Sequence, residues 1–358
     1  MGWLVSGRAP SPDAELTSVA ASQGLSARLY RAIDGAAETW PVELREAVRD
    51  AARAGLVRGL TQLDVAARVA SLLHAHGLRS LPLKGCAVAE WLYDSPAERS
   101  MSDVDVLCLD DWQGARQLLE RHGFLEQEEA DHAVSLRDPT AGVIVELHRS
   151  VTSCPGLFPV DAGGLWARSR EPGDGRPRRP APEDLLVQLA LHATFQHGLV
   201  LTLGQYLDFR QLFERCALDP GLVLASARAA RAERLLAPAL AMARTLVGAV
   251  VPPALGEWAE AQLSRRQRRW LRRALRDPLR YVAPAPAALA QARWVMLQGR
   301  RAELLKRTVL REDPATPGLA RNALRAARRS WVLARRLASE RWRSAVGVRA
   351  PSSSTHAR

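Results

Sequence analysis

The sequence predicts an α/β (α+β) fold: a small core with a mixed sheet, preceded by a helical segment and followed by a larger helical domain. Three observations predict it. Between residues 78 and 148 short apolar runs alternate with helical stretches. On either side, apolar residues recur at helical spacing. A proline- and glycine-rich stretch, EPGDGRPRRPAP at 171–182, sets off the second helical part.

Taken in order, the first fifteen residues read as irregular, and residues 16–76 as helical. Leu56, Leu60 and Leu63 fall at i, i+4 and i+7, followed by Val69, Leu72 and Leu73, which predicts one apolar stripe. Gly77 suits the end of that helix. Leu78–Leu83 reads as a strand, Cys86–Tyr93 as a helix and Asp94–Met101 as a loop. Val104–Leu109 is an apolar run of the kind found in buried strands. A helix over Asp111–His122 and strands at Phe124–Glu128, His132–Arg137 and Val143–His148 complete a β-α-β-α-β-β-β order. Pro182 with Glu183 and Asp184 opens the next helix, since proline fits the first helical position and acids suit the positive end of the dipole. Helices continue to about residue 345, broken at Asp219-Pro220, Val251–Pro253, Pro284–Pro286 and Asp313–Pro317. The expected segments are 1–77, helical; 78–170, core; 171–182, linker; 183–345, helical domain; and 346–358, a disordered tail.

A 47% hydrophobic content excludes global disorder. The absence of a charge-free run of eighteen apolar residues argues against a membrane span, and the first residues do not read as a secretory signal. Cys86, Cys108, Cys154 and Cys216 form no CxxC pair, so neither a zinc knuckle nor a disulfide framework is indicated, and a cytoplasmic protein is expected. The net charge of +12 is uneven. Residues 261–358 hold 24 basic against 5 acidic residues, whereas residues 1–260 hold 26 against 33. The run RRQRRWLRRALR at 265–276 would suit a polyanion, although helical spacing is expected to scatter its arginines around the helix. Of fifty basic residues only Lys84 and Lys306 are lysine.

Asp103-Val104-Asp105 is the central motif. On a strand, residues i and i+2 face the same way, so both carboxylates would lie side by side. Adjacent anions repel, and a divalent cation with oxygen ligands resolves the conflict. Glu146 sits within VIVELH, where an acid in a buried strand requires a partner or a metal. Lys84-Gly85 stands where a strand becomes a helix; the glycine would admit a phosphate and the ammonium would add charge. Arg99 and Ser102 lead into the aspartates. They would contact phosphate, or Arg99 would pair with Asp103 or Glu146.

The stretch LPLKGCAVAEWLYDSPAERSMSDVDVLCLDD, then RHGF and VIVELHRS, resembles the uncharacterised nucleotidyltransferase family of the polymerase-β superfamily. Abortive-infection toxins and small-molecule nucleotidyltransferases of that superfamily are similar around Lys84-Gly85. The resemblance covers about residues 72–215, including LLVQLALHATFQH and LGQYLDFRQLF. It implies a nucleotidyltransferase core that moves a nucleoside monophosphate from an NTP to a hydroxyl-type acceptor (a small molecule, protein or RNA). It further implies Mg²⁺ or Mn²⁺ held by Asp103, Asp105 and Glu146 in a two-metal arrangement. This sequence departs from the superfamily at Cys86, where most members carry serine, and in a longer gap from Gly85 to Asp103. Two alternatives therefore stand: a catalytically weakened nucleotide-binding or regulatory module, and an RNA-directed enzyme using its basic C-terminal helices.

Further candidates are His148, two residues beyond Glu146 on the same strand face, to orient a carboxylate or act as a base; His192; and Asp208. Asp208 would pair with Arg210 or a neighbouring helix, or line the cleft. His192 and His197 are five apart, about 140° around an α-helix, so that helix would not direct both at one metal.

Overall fold

The computed structural model describes Trp3 and residues 9–34, 39–130, 132–152, 157–172 and 176–276, all within one compact unit, residues 1–294. Side chains at 270, 273, 274 and 276 are excepted. The expected helices and breaks beyond 276, the tail, Lys306, Cys154 and the centre of the 171–182 stretch lie outside the described residues.

Three helices come first: α1 (Ala14–Ser22), α2 (Ser26–Asp34) and the long α3 (Val42–Ala75). Gly77 follows with φ +73°, a conformation glycine adopts freely. The core then runs β1 (Ser80–Pro82), α4 (Lys84–Val88), a 3₁₀ turn at Pro96–Glu98, β2 (Val104–Cys108), α5 (Trp112–Arg121), β3 (Leu125–Glu129), β4 (Ala133–Arg137) and β5 (Ile144–His148). The five strands form one mixed sheet in the order β1-β2-β5-β4-β3. Only the central β2–β5 pair is parallel.

The sheet is two-faced because its sequence alternates. Val104, Val106, Val134, Leu136, Val145 and Leu147 join Val65, Val69 and Leu73 of α3 and Leu118 and Leu119 of α5 in a buried apolar cluster. Asp105, Glu146 and His148 alternate with these residues, so they belong to the other face. The β2–β5 register sets Asp105 opposite Glu146 and Leu107 opposite His148. Trp112 ties α5 to β5 by donating Nε1–H to the Leu147 carbonyl at 3.0 Å.

The apolar stripe expected on α3 is displaced. Leu56 and Leu60 are 36% and 53% exposed, and Leu63 belongs instead to a buried face with Val48, Ala52, Gly59, Ala66 and Val69. Gly59 explains the shift: a Cβ there would stand 3.0 Å from the Pro96 carbonyl, so the 3₁₀ turn occupies that side of the helix.

The helical part comprises α6 (Ala162–Arg168), α7 (Pro182–Leu191), α8 (Leu203–Arg215), α9 (Pro220–Ala229), α10 (Glu233–Val247), α11 (Pro253–Gln262) and α12 (Arg265–Arg276). Helix α7 is buried almost all round, as its nearly unbroken apolar sequence requires. It does not end as an α-helix. Residues His192–Gln196 form a π-turn, with the His197 amide donating to the His192 carbonyl at 3.2 Å. Thr202 and Gln205 then make a reciprocal capping box at the start of α8.

Helix α12 corrects the expectation that its arginines are scattered. Gln267 and Leu271 are buried, whereas Arg265, Arg266, Arg269 and Arg272 are exposed on the opposite side. Among the described residues no helix is long and apolar enough to cross a membrane. Cys86, Cys108 and Cys216 are free thiols.

Candidate active site

Three chain segments converge on the polar face of the sheet. From β2 comes Asp105, buried, and from β5 come Glu146 and His148. Lys84 comes from the junction of β1 and α4. Its Nζ lies 2.6 Å from Asp105 Oδ1 and 4.0 Å from Glu146 Oε2. His148 Nε2 lies 2.8 Å from the same Asp105 oxygen and 3.2 Å from Glu146 Oε2. One donor atom from each of Asp105, Glu146 and His148 lies within 4.8 Å of the other two. Two carboxylates and two nitrogen groups thus meet where little water reaches them.

The electrostatics follow from that crowding. Burial alone would raise the Asp105 pKa, but Lys84 and His148 outweigh it and hold the carboxyl well below the usual range. His148 donates to Glu146 and lowers its pKa against burial. Burial pulls Lys84 and His148 downward, yet the carboxylates carry both upward. Lys84 also has φ +49°, a backbone conformation that non-glycine residues rarely adopt and one that recurs at functional sites.

Asp103 stands just before β2 rather than on it, so the expected strand alternation applies only to Asp105. It is partly buried and accepts a hydrogen bond from Ser102, which is exposed. Burial first, then the charges of Asp105 and Glu146, push its pKa up.

Gly85 differs from its expected role. A Cβ there would meet Met101 Cγ at 2.7 Å and Arg99 Cζ at 3.5 Å, so side chains fill the space expected to admit phosphate. Cys86 is buried, its pKa pushed up to about 12 by burial and then by Asp105. Its sulfur accepts the Asp105 amide at 3.2 Å, which anchors β2 beneath the carboxylate.

Arg99 pairs with neither Asp103 nor Glu146. Its Nε donates to both Asp208 oxygens, at 2.8 and 2.9 Å, and Tyr93 donates to Asp208 at 2.7 Å. The group is buried because α8 packs against the loop that leads into the aspartates. Asp208 accordingly does not pair with Arg210, which binds Glu214 at 2.6 Å. The tyrosine ending the 86–93 stretch was the available signal for this partner.

The π-turn overturns the separation expected for His192 and His197. One residue more per hydrogen-bonded ring brings residues five apart onto one side, and the two rings stand edge to face with centroids 4.3 Å apart. His192 Nδ1 lies 2.8 Å from Gln196 Oε1. Both histidines feel the charge of Lys84 and Asp105, which places them beside the site. His132 lies against His148, centroids 5.4 Å apart. Burial lowers the pKa of His192 strongly and those of His132 and His197 to about 4, with further lowering by nearby positive groups.

A family described as an uncharacterised nucleotidyltransferase matches residues 10–248. That span takes in α1 through α10, more than the motifs alone cover. No curated protein matches the chain. Among solved structures, the solution structure of the antibiotic-resistance factor ANT(2'')-Ia is similar at 15% identity and a TM-score of 0.36, covering 48% of this chain and 92% of that one. The crystal structure of an antigenic nucleotidyltransferase-like protein from Paracoccidioides brasiliensis is similar at 18% identity and a TM-score of 0.38, covering 57% and 94%.

Proposed function

Because the chain belongs to this family of uncharacterised nucleotidyltransferases, we propose that it transfers a nucleoside monophosphate from an NTP to a hydroxyl-type acceptor. The observation that carries the reading is the convergence of Asp105, Glu146 and His148. Their donor set, two carboxylate oxygens and one imidazole nitrogen, fits a divalent cation; Mg²⁺ prefers the oxygens and Mn²⁺ also accepts the nitrogen. Asp103, two residues before Asp105, would complete the acidic set. Such ions, when bound, polarise the reacting phosphate and offset the charge that develops on it.

The chain's own residues divide the remaining work. The acceptor hydroxyl gives its proton to a carboxylate of the acidic set, its oxygen bonds to the α-phosphorus, the bond from that phosphorus to the bridging oxygen breaks, and pyrophosphate departs. Lys84 is the ammonium nearest the carboxylates and is suited to the triphosphate charge. Ser102, exposed next to Asp103, would turn its hydroxyl from Asp103 to a phosphate oxygen. Cys86 sits beneath the site on the Asp105 amide, so its replacement of serine falls on a backbone contact. Arg99 and Asp208 support the loop and are left out of substrate binding.

The test is label transfer from each NTP with Mg²⁺ or Mn²⁺ and cell extract. Asp105→Asn and Glu146→Gln should each lower transfer at least about a hundredfold, as expected when several kcal/mol of charge stabilisation are removed. Pulsed EPR of the Mn²⁺-loaded protein should show a nitrogen coupling that His148→Gln removes. Transfer that survives both carboxylate variants would sink the reading. Metal-dependent nucleotide binding without transfer would favour a binding module.

A further inference from the structure

Helix α12 offers a charged surface that the proposed chemistry does not use. Taking 3.6 residues per turn, Arg265, Arg269 and Arg272 fall within about 60° of one another, with Arg266 on their flank. All four are exposed, and none pairs with a described carboxylate. The opposite side is committed. Gln267 and Leu271 are buried, and Ser264 and Gln267 exchange capping bonds of 2.8 and 3.2 Å. At the boundary, Arg268 binds Glu260 at 2.8 Å. The helix is therefore fixed to the body of the protein with one face outward, and it packs on α10, which in turn packs on the π-turn beside the site.

Guanidinium groups crowded on one face repel one another, which favours an anionic partner. The chemistry of that partner can be narrowed. Guanidinium forks match phosphate oxygens bidentately. A membrane-surface helix needs a free apolar side to insert, and here the apolar side is packed against protein. A protein interface needs an aromatic or aliphatic anchor, and the described outward residues are arginines. Arg265 to Arg272 rise about 10 Å along the axis, enough to track several phosphates of one strand. We propose that the outward face of α12 is a docking surface for the phosphate backbone of a nucleic-acid strand.

The experiment compares the full chain with two variants of equal charge. One is Arg265→Gln/Arg266→Gln/Arg269→Gln/Arg272→Gln. The other removes four exposed, scattered arginines: Arg53→Gln/Arg58→Gln/Arg121→Gln/Arg228→Gln. Both keep residues 277–358, so the difference between them isolates the face. Binding to a labelled single-stranded RNA 20-mer and its DNA counterpart is measured from 50 to 300 mM salt, with poly-glutamate and phosphatidylserine vesicles as further arms. Four phosphate contacts predict that the face variant loses about 3 from the slope of log affinity against log salt, and the scattered variant less than 1. Circular dichroism checks that both variants stay folded. Absence of nucleic-acid binding at 50 mM salt, equal slopes in the two variants, or a loss confined to poly-glutamate or vesicles would each overturn the proposal.

Discussion

At Asp105 a single buried oxygen takes bonds from both Lys84 and His148, so every substitution there changes the surroundings of two nitrogen groups at once. Arg99 and Asp208 form a second buried arrangement with a different logic. Removing one partner strands a charge without water. Asp208→Ala or Arg99→Ala should therefore cost about 3–5 kcal/mol in chemical denaturation. Asp208→Leu/Arg99→Met should recover much of that loss, because apolar pairs of similar size replace buried ion pairs well. A double variant that is stable yet has lost NTP affinity would return Arg99 to the substrate. The residues differ in how far sequence alone reaches them. Asp105, Glu146 and His148 were legible because strand alternation is a local rule, and each needs only its own neighbours to be placed. Arg99 was not, since its partner lies 109 positions away in a helix that nothing around Arg99 announces.

Helices show the same division. The strands and most helices follow from local periodicity, and they appear within a few residues of where the pattern puts them. The buried face of α3 does not, because leucine spacing cannot report that Pro96 presses on Gly59. Gly204 makes a comparable contact near the start of α8. A Cβ there would lie 2.9 Å from the Gln23 carbonyl, and the Gly204 amide already donates to that oxygen at 3.0 Å. In an exposed helix interior, glycine to alanine stabilises by about 0.8–1 kcal/mol. Here the sign should reverse: Gly204→Ala should lower the thermal midpoint, with a cost of about 1–3 kcal/mol from overpacking. An unchanged or raised midpoint would mean that α1 and α8 are not locked together at this point.

Across the whole molecule, the loop before the aspartates is held by helices from before and after the core. Arg28 and Arg31 of α2 reach Glu98 at 3.3 and 2.6 Å, while Asp208 and Arg215 of α8 reach Arg99 and Asp94. The family match begins just before the first helix and extends past the core, so it takes in all of these segments. The site is also sensitive to acid. His132 and His192 are kept neutral largely by burial, with pKa values below their unfolded value of about 6.5. The unfolded chain therefore binds protons that the native state refuses. The contribution of these two histidines should be complete above pH 6.5 and decline as the pH falls, by up to about 1.4 kcal/mol per pH unit for each until it charges. His197, whose ring is more open to water, should contribute less. His148 acts in the opposite sense: its pKa is raised, so its contribution is present below pH 6.5 and fades as the pH rises through its folded value. Thermal midpoints from pH 8 to 4 check this. His192→Asn should flatten the acid limb, and an unchanged limb would refute the assignment.

The π-turn can also be considered as a matter of gene length. A helix that closes its ring over five residues instead of four carries one residue more than an α-helix needs to cover the same turn. Here the extra residue sets His197 against His192 beside the carboxylates. Deleting the codon for Ala193 would let α7 continue with ordinary pairing and would leave the two histidines four residues apart, about 40° around the axis. The two imidazoles would stay on one side although the chain had lost a residue. What the π-turn absorbs is thus one codon of length: in an ordinary helix of the present length the pair would stand about 140° apart.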